Sequence, residues 1–550
     1  MGQKALTENT LFYGDNLKIL REYLADESVD LIYLDPPFNS ARNHNVLFKD
    51  ESGLESEAQI TAFEDTWHWS ERPYNELQAI APEKLGQVIE TLVSVLGRNQ
   101  MTTYLVMMTL RLIELHRVLK PTGSLYLHCD PTASHYLKMI LDMIFGSQNF
   151  RNEITWKRSS AHSDTKQGRK AFGNIADILL YYTKSQEYTF NPQFTPYDDE
   201  YIRTNYHHTD TNGRKWKSSD LSGPGGGSKG NPYFEFMGIK RYWRYSEKNL
   251  QKFLIEGRIY QSKPGAVPRM KHYLDEMPGI PLQNVWDDIS PISSQAAERL
   301  GYPTQKPQAL LERIISASSN EGDIVLDPFC GCGTTIHAAQ KLQRTWLGMD
   351  ITHLAIALIK NRLKDAFALE KQHGYTVIGE PEDLQGAQHL AEEVGRYQFQ
   401  WWAVSLVGAR PYGGDAEGKR GKKGADSGID GIITFHDDPR GKSKRVIVQV
   451  KSGKVSVRDI RDLRGVIERE PPAALGVFIT LQPPTEPMRL EAEASGVYHS
   501  STWQKAYPKI RILTIAELLA GATVQMPPTA TTYKRARKET PETPAQESLL

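Results

Sequence analysis

The sequence predicts an α/β protein with a doubly wound, mostly parallel sheet, followed by a second, smaller α/β domain. Two observations predict this class. Short apolar runs of strand length alternate with helical patterns along most of the 550 residues, and several of the runs end at turns rich in Gly, Pro or Asp. At roughly 100–200 residues per domain, the length predicts about three domains.

The first part of the chain contains two predicted strands around a helical region. An apolar run at 29–34 predicts a strand that ends at Asp35 and a double proline. A turn at 121–123 introduces a second strand at 124–128. Residues 74–119, which lie between these strands, are predicted to form largely two helices.

Later segments continue the alternation after an insert of different character. A strand at 324–326 leads into a glycine-rich turn and a helix that ends near residue 343. A strand at 345–349 and a helix over 353–367 follow. Residues 151–290 are instead rich in Tyr and Trp and hold 21 Lys and Arg against 16 Asp and Glu. This composition predicts a modestly basic, loop-rich insert.

A second α/β pattern occupies the C-terminal part of the chain. Its predicted elements are a helix near 385–406, strands near 431–435 and 445–451, a helix near 456–469 and a strand near 475–480. The end of the chain is rich in Pro and Thr and carries a basic run at 534–538 followed by acids. Such a composition buries too little apolar surface to fold, so the tail is predicted to be disordered.

Composition excludes several classes of protein. Lys and Arg number 66 and Asp and Glu also number 66, so any nucleic-acid surface must be a local patch. Three cysteines (Cys129, Cys330 and Cys332) are too few for a disulfide framework and indicate a reducing compartment. No apolar run approaches the roughly 18 residues of a membrane span, and no secretory signal opens the chain. We therefore expect a cytoplasmic protein that does not enter the membrane.

The turn after the strand at 324–326 carries a glycine-rich motif, Asp-Pro-Phe-Cys-Gly-Cys-Gly-Thr-Thr at 327–335. A glycine-rich turn between a strand and a helix lets the backbone approach a ligand closely. Asp350 ends the next strand, where a carboxylate accepts hydrogen bonds from ribose hydroxyls. The order of strand, glycines, helix, strand and acid favours a ribose-containing ligand over the alternative, a tight turn without a ligand.

The tetrapeptide Asp35-Pro36-Pro37-Phe38 follows the strand at 29–34. A double proline is stiff and lacks two N–H donors, so it holds a carboxylate and free carbonyls at the edge of the sheet where ligands bind. The Asp35 carboxylate and the Pro36 carbonyl are acceptors for an amino group, and Phe38 offers a ring on which a planar base stacks. The alternative is a structural turn with Phe38 in the core.

Together the two motifs resemble those of the S-adenosyl-L-methionine-dependent DNA amino-methyltransferases, which make N6-methyladenine or N4-methylcytosine. The tetrapeptide at 35–38 resembles their catalytic motif, and 327–335 resembles their cofactor loop. The catalytic motif comes first and the cofactor motif last, which is the circularly permuted order of the β class. Modification subunits of type III restriction systems belong to this class. The resemblance covers about residues 9–367 and implies a Rossmann-like sheet.

The resemblance implies a site-specific reaction on a base flipped out of double-stranded DNA. Asp35 and the Pro36 carbonyl would accept the amine hydrogens, Pro37 completes the motif, and Phe38 would stack on the base. The implied cofactor residues are Asp15, Thr304, Gln305, Lys306, Asp327, Phe329, Gly331, Gly333, Thr334 and Asp350.

The first residue of the tetrapeptide bears on the choice of target. Asp at this position favours the N6 amine of adenine, with N4 of cytosine as the alternative. An RNA or protein methyltransferase and a non-catalytic DNA-binding protein are more distant alternatives. A homodimer and a restriction subunit are the candidate partners besides DNA.

The resemblance also sets the expected domain boundaries. These are a methyltransferase domain at 1–156 and 286–370, a target recognition insert at 157–285, a linker at 371–383, an endonuclease-like domain at 384–522 and a disordered tail at 523–550.

Three residues on two neighbouring C-terminal strands, Asp430, Gln449 and Lys451, resemble the Mrr-like branch of the restriction-endonuclease fold. The resemblance implies that Asp430 and Gln449 place a divalent cation such as Mg²⁺, and that Lys451 stabilises the attacking water or the transition state. Active members often carry an acid on the preceding helix, where this chain has Gln400. The alternative to a nuclease is therefore an inert domain that binds DNA or packs against the methyltransferase.

Overall fold

The computed structural model divides the chain into two compact units, Met1–Asn191 with Asn284–Leu550 and Pro192–Gln283. The residues that it describes are 6–37, 69–159, 170, 172–293, 296, 298–300, 305–371, 373–412, 428–437, 443–528 and 537–539. Among them, no helix combines the length and the apolar character needed to cross a membrane.

The first unit opens with an alternation of strands and helices. Its strands here are β1 (Thr10–Tyr13), β2 (Val29–Leu34), β3 (Leu119–Cys129), β4 (Phe150–Lys157) and β5 (Ala176–Thr183). Its helices are α1 (Asn16–Tyr23), α2 (Glu71–Ile80), α3 (Glu83–Leu96), α4 (Gln100–Val118) and α5 (Ser134–Phe145).

Residues 74–119 thus contain parts of three helices, where the sequence predicts largely two. Pro82 lies between α2 and α3 as the N-cap of α3, a position at which its missing N–H is tolerated. Gly97 ends α3 with a φ of 80°, and Asn99 restarts the helix with a capping box to Thr102. Pro82, Gly97 and Asn99 therefore explain why this segment forms three helices.

The second unit is a small mixed domain. Its strands are β6 (Phe194–Thr195), β7 (His208–Thr209), β8 (Lys215–Asp220), β9 (Tyr233–Phe236), β10 (Ile239–Tyr242), β11 (Ile259–Tyr260), β12 (Arg269–Tyr273) and β13 (Ile280–Pro281), and its helices are α6 (Asp199–Asn205) and α7 (Glu247–Ile255). A four-stranded sheet in the order β11-β12-β8-β7, the β9–β10 hairpin and the antiparallel pair of β6 with β13 make its framework. Trp243 and Leu250, both fully buried, lie in its core. The insert predicted at 157–285 is therefore larger than this unit, because β5 completes the sheet of the first unit.

The first unit resumes after this insert. Its further strands are β14 (Val285–Trp286), β15 (Ile324–Asp327), β16 (Thr345–Asp350), β17 (Glu370–Lys371) and β18 (Gly374–Ile378), and its helices are α8 (Gln308–Ser318), α9 (Thr334–Lys341) and α10 (His353–Phe367). Strand β18 lies within the predicted linker at 371–383. It pairs with β1 and buries Tyr375 and Val377, so this segment belongs to the sheet.

These strands form a ten-stranded sheet in the order β14-β4-β5-β3-β2-β15-β16-β1-β18-β17. All neighbouring pairs are parallel except those that β5 makes with β3 and β4. The structure thus confirms the predicted mostly parallel sheet. Strand β2 pairs directly with β15, with Leu31 opposite Val325 and Ile32 opposite Leu326. The turns that follow β2 and β15 therefore lie at the same edge of the sheet.

The C-terminal part of the first unit forms the second α/β domain. Its helices are α11 (Leu384–His389), α12 (Arg396–Leu406), α13 (Val457–Arg469), α14 (Glu486–Ala494) and α15 (Ile515–Leu519). Its strands are β19 (Arg410–Pro411), β20 (Gly431–His436), β21 (Ser443–Lys451), β22 (Ala473–Thr480), β23 (Val497–Ser500), β24 (Lys505–Pro508) and β25 (Ile510–Thr514). The main sheet has the order β19-β20-β21-β22-β25. The helix predicted near 385–406 is interrupted by a π-helical turn at 390–394 and by Gly395.

The C-terminal domain packs against the end of β1 and the start of α10. The ring of Tyr13 stacks on His353 with 3.7 Å between centroids, and its hydroxyl donates to Gln398 on α12 at 3.2 Å. Tyr13 also contacts the apolar core of the C-terminal domain. Strand β1 therefore belongs to the ten-stranded sheet and to this domain interface.

Part of the tail predicted to be disordered contacts helices α9 and α10. The backbone N–H of Glu539 donates to the carbonyl of Ala366 on α10, and its carboxylate lies 3.0 Å from His337 Nε2 on α9. Glu539 thus contacts two helices of the first unit.

Gly379, which follows β18, provides a test of how closely the end of this strand packs against β1. Its φ is 95°, and an added Cβ would lie 2.1 Å from the carbonyl oxygen of Tyr13. We expect Gly379→Ala to lower the free energy of unfolding by about 3 kcal/mol, because the backbone must move.

Gly97→Ala is the matched control, since Gly97 has a φ of 80° but open space around it. This variant should lose only about 1 kcal/mol. Equal losses in urea denaturation of the two variants would contradict the proposed collision at Gly379.

Candidate active site

The candidate active site lies where β2 and β15 end side by side. Asp35 follows β2, and its carboxylate accepts a hydrogen bond from the ammonium group of Lys306. The side chains are 17% and 12% exposed, respectively, so the pair is largely shielded from water. The structure thus brings the predicted catalytic acid to the segment that precedes α8. Phe38 and Thr304, which were predicted to act beside them, lie outside the described residues.

A pocket of about 400 Å³ opens at this edge of the sheet. Pro37 lines it from the predicted catalytic motif, and Phe329 and Asp350 line it from the predicted cofactor segment. Asp15 and the rest of the turn at 14–17 form a further wall. Two motifs at opposite ends of the methyltransferase sequence therefore share one cavity.

Asp327 stabilises the glycine-rich loop through two hydrogen bonds. One carboxylate oxygen of Asp327 accepts from the N–H of Phe329 at 3.0 Å, and the other accepts from the Thr335 hydroxyl at 2.5 Å. Burial raises the pKa of Asp327 to about 7 against these hydrogen bonds, and the charges of Asp35 and Asp350 add to the increase. Asp327 shapes the loop rather than lining the pocket.

Glycine is required at Gly333, the residue before α9. Its φ is 76°, and an added Cβ would lie 2.7 Å from Cγ1 of Ile359 on α10. Gly331 also has a positive φ, of 50°. The loop can therefore pass close to α10 and turn into α9 only with a glycine at position 333.

Asp350 both lines the pocket and supports the loop. One carboxylate oxygen accepts from the N–H of Gly331 at 3.0 Å. The other accepts from the N–H and the hydroxyl of Thr352, each at 2.8 Å. Burial raises the pKa of Asp350 to about 6, although these hydrogen bonds oppose the increase. The site thus presents an ionised acceptor at neutral pH.

The opposite wall is built by the start of α1 and by α4. Asp15 caps α1 by accepting from the N–H of Leu17 at 2.7 Å. The neighbouring Asn16 donates to the carbonyl of Pro328 at 2.7 Å. Arg111, on α4, contacts both Asp15 and Asn16. The sequence predicted a role for this turn but not for Arg111, although a single arginine within the otherwise uncharged stretch 100–113 was a usable signal.

Two other predicted cofactor residues have internal partners. The side chain of Gln305 donates to the carbonyl of Glu298 at 2.6 Å and accepts from the N–H of Leu300 at 2.8 Å. Thr334, the first residue of α9, is buried and accepts from the guanidinium group of Arg362 at 3.2 Å. Neither side chain lines the pocket, so each supports the backbone around it.

A buried polar chain lies behind Asp35, and the sequence analysis did not predict it. The hydroxyl of Tyr33 is 2.9 Å from Nδ1 of His128, and Nε2 of His128 is 3.1 Å from Asp177. Arg158 pairs with the other oxygen of Asp177 at 2.9 Å. Burial alone would raise the pKa of Asp177, but His128 and the nearby cations lower it. These strands therefore share a charged, hydrogen-bonded layer beside the catalytic edge.

The predicted nuclease residues lie together, but their contacts do not suit a cation. One oxygen of Asp430 accepts from the amide of Gln400 at 2.7 Å, and the other accepts from the N–H of Val450 at 2.6 Å. Gln449 is buried on β21, the strand that ends at Lys451. Within the described ranges, no three His, Cys, Asp or Glu side chains converge as metal ligands. The Asp430 carboxylate and the Gln449 amide oxygen, which is buried without a hydrogen-bond partner, are too few ligands for Mg²⁺, so the described residues do not fit the predicted Mg²⁺ site.

The aromatic residues of the second unit divide into two sets. Trp243 is fully buried and Trp216 nearly so, so both pack the interior. Tyr233 and Tyr242 are exposed on the β9–β10 pair, with 4.7 Å between their ring centroids. The ammonium group of Lys240 lies 5.9 Å from the ring of Tyr233. This hairpin therefore presents aromatic faces and a cation to solvent.

The sheet order and the glycine-rich loop define a Rossmann-like α/β protein. Residues 29–361 match the family model of N6/N4 enzymes described as DNA methylase. This match covers more than half of the chain, so the chain belongs to that DNA methylase family. Residues 413–520 match a second model, described as NACHT-associated inactive Restriction Endonuclease 1.

Named relatives agree with the family. The chain is 35% identical over 265 residues to the type II methyltransferase M.EcaI of Enterobacter cloacae, covering 47% of this chain and 57% of the relative. It is 27% identical over 396 residues to the type III restriction-modification enzyme StyLTI Mod subunit of Salmonella typhimurium, covering 68% and 56%. It is 26% identical over 355 residues to the DNA adenine methyltransferase YhdJ of Escherichia coli, covering 64% and 82%. The chain thus spans a little over half the length of the first two relatives.

The raised pKa of Asp327 predicts a pH-dependent stability. Because the pKa is about 7 in the folded chain and ordinarily 3.8, folding favours the protonated form. Its contribution to stability is complete below about pH 4 and is lost as the pH rises to about 7.

We expect Asp327→Asn to gain about 1–3 kcal/mol relative to the wild type as the pH rises from about 4.5 to 7.5. Urea denaturation at several pH values measures this difference in the free energy of unfolding. A difference that does not change with pH would contradict the assignment.

Proposed function

We propose that the chain is a site-specific DNA methyltransferase that transfers a methyl group from S-adenosyl-L-methionine to the N6 amine of adenine. The single observation that carries this proposal is the shared pocket, lined by Pro37 beside Asp35 and by Phe329 and Asp350. A methyl donor bound by the motif at 327–335 would therefore lie adjacent to the acceptors of the motif at 35–38. Family membership supports the same reaction.

The residues present fit the cofactor. Asp350 is an acceptor for ribose hydroxyls, and Phe329 and Ile351 supply apolar surface for the adenine ring. Bound S-adenosyl-L-methionine supplies an electrophilic methyl group on a sulfonium centre. The volume of about 400 Å³ is within the range of pockets that bury ligands of this size.

In the proposed mechanism, Asp35 and the Pro36 carbonyl accept the hydrogens of the target amine. This arrangement directs the nitrogen electron pair at the methyl carbon. Bound S-adenosyl-L-methionine would supply the methyl group to this nitrogen and keep the electron pair of the broken C–S bond on sulfur, and the nitrogen would lose one proton to solvent. Lys306 fixes the Asp35 carboxylate until the base arrives. Catalysis is mainly positioning and electrostatic stabilisation.

The choice of adenine is supported by Asp at position 35 and by one relative that is named a DNA adenine methyltransferase. The N4 amine of cytosine is the competing target. Digestion of methylated DNA to nucleosides separates N6-methyladenine from N4-methylcytosine. Labelling of RNA in place of duplex DNA would contradict both.

We propose that the second unit reads the DNA. The exposed rings of Tyr233 and Tyr242 suit stacking on bases, and Lys240 beside them suits a phosphate. One relative is named a Mod subunit of a type III restriction-modification enzyme, which supports a restriction subunit as a partner. A second copy of this chain is the other partner that we propose.

We further propose that the C-terminal domain does not cleave DNA. At the position where active restriction-endonuclease-like domains carry an acid, Gln400 donates to Asp430. This contact places an amide donor, rather than a second carboxylate, beside Asp430. The match to a family model described as an inactive restriction endonuclease supports the same proposal. The domain then serves to pack against β1 and α10, or to bind DNA.

We expect Asp35→Ala to abolish methyl transfer, lowering the rate by at least about a hundredfold, because the amine loses its charged acceptor. Binding of S-adenosyl-L-methionine should change little, since Asp35 does not line the pocket. Incorporation of radiolabelled methyl groups into duplex DNA and calorimetric binding measure the two effects.

Asp30→Asn is the matched control on the same strand. Asp30 also pairs with a lysine, Lys120, at 2.7 Å, but at the opposite end of β2. This control should retain methyl transfer within about a factor of three. Retained activity in Asp35→Ala would refute the proposed mechanism.

A second prediction tests whether the C-terminal domain binds a cation. Mg²⁺ should leave the melting temperature of the wild type unchanged, because the described site offers one carboxylate. Gln400→Glu places two acids together, so it should destabilise the domain without a cation and be stabilised by Mg²⁺ at millimolar concentration. A Mg²⁺-dependent shift in the wild type, or plasmid cleavage that Asp430→Ala removes, would contradict the proposal.

A further inference from the structure

Arg111 is a buried cation in the wall of the proposed cofactor pocket. Its side chain is 11% exposed, and burial lowers the pKa of its guanidinium group while Asp15 opposes that effect. A charge in such surroundings is retained only with well-placed partners. The partners of Arg111 therefore indicate what it does.

All three guanidinium nitrogens of Arg111 already donate to the protein. Nε donates to Oδ1 of Asn16 at 2.5 Å, and Nη1 donates to the carbonyl of Met107 at 3.2 Å. Nη2 donates to both carboxylate oxygens of Asp15, at 3.0 and 3.3 Å. Arg111 thus acts on its neighbours rather than as a direct ligand of a small molecule.

Asn16 continues this chain of contacts to the glycine-rich loop. Its Oδ1 accepts from Arg111, and its Nδ2 donates to the carbonyl of Pro328 at 2.7 Å. Asn16 is 7% exposed, so water does not compete for these bonds. Pro328 has no N–H, which leaves its carbonyl as the backbone group by which this residue can be held.

We propose that Arg111 and Asn16 act in series as positioning residues for cofactor binding. Arg111 fixes the amide of Asn16, and Asn16 fixes the Pro328 end of the loop, whose other end Asp350 holds through Gly331. The inference rests on the proposed function, since it assigns these residues to the pocket for S-adenosyl-L-methionine. It predicts a loss of cofactor affinity without a loss of chemistry at saturation.

Two conservative variants separate the two contacts. Arg111→Lys keeps the charge but cannot reach Asn16, Asp15 and Met107 together. Asn16→Asp keeps the shape and the acceptor for Arg111, but its carboxylate cannot donate to Pro328. Calorimetric titration of the full chain with S-adenosyl-L-methionine should show that each variant binds about tenfold more weakly. The rate of methyl transfer at saturating cofactor should stay within about a factor of two.

Arg117→Lys is the matched control on the same helix. Arg117 donates to the carbonyls of Leu20 and Leu24 at the end of α1, but it does not line the pocket. It should bind the cofactor as the wild type does. The double variant of Arg111→Lys and Asn16→Asp should bind within about threefold of the weaker single variant, because contacts in series are not additive.

Three results would overturn the inference. Unchanged affinity in both single variants would show that the chain of contacts is not used. A multiplicative loss of about a hundredfold in the double variant would show that the residues act independently. A fall in the saturated rate with unchanged affinity would place them in the chemical step. A wild type that does not bind S-adenosyl-L-methionine would instead refute the proposed function, and this inference with it.

Discussion

The parallel pairing of β2 with β15 is the constraint on which the site depends. The two strands lie far apart in sequence, yet Leu31 is opposite Val325 and Ile32 is opposite Leu326. Parallel strands end at the same edge of a sheet, so the turns that follow them must meet. A slip of one residue would turn every side chain to the other face. The register therefore fixes which groups face the pocket.

The same pairing gives the two faces of the sheet different chemistry. Ile32 and Leu34 point into the large apolar core, whereas Tyr33 points to the polar chain through His128 and Asp177. Burying such a chain is costly unless each member is hydrogen-bonded. Each member here has a partner. The strand that leads to Asp35 is thus held by apolar contacts on one side and by hydrogen bonds on the other.

Local patterns were sufficient to predict most of the sheet but not the contacts between distant residues. The apolar run at 29–34 and the helix over 353–367 coincide with the observed elements, because their periodicity is local. Strand β18 was interpreted as a linker, because a five-residue strand with two buried side chains carries a weak signal. Arg111 was missed since its partners lie on α1, and no pattern within α4 records them.

The motif residues also differ in a way that sequence cannot resolve. Asp327 and Asp350 are both acids at strand ends in the sequence. Asp350 lines the pocket, whereas Asp327 stabilises the loop through its hydrogen bonds to Phe329 and Thr335. The difference depends on which side of the turn each carboxylate faces. Spacing along the chain predicts that a residue reaches the site, whereas packing decides whether it contacts a ligand or supports the backbone.

The C-terminal domain shares structural elements with the pocket. Tyr13 and His353 stack at the domain interface. Tyr13 directly precedes the pocket wall at 14–17, and His353 lies two residues after the wall at 350–351. In the described part of the chain, both ring nitrogens of His353 are buried without a hydrogen-bond partner. Burial strongly lowers the pKa of His353, so the ring is neutral and packs as an apolar group. Removing the C-terminal domain would expose this stack to water, so this domain supports two walls of the pocket by packing.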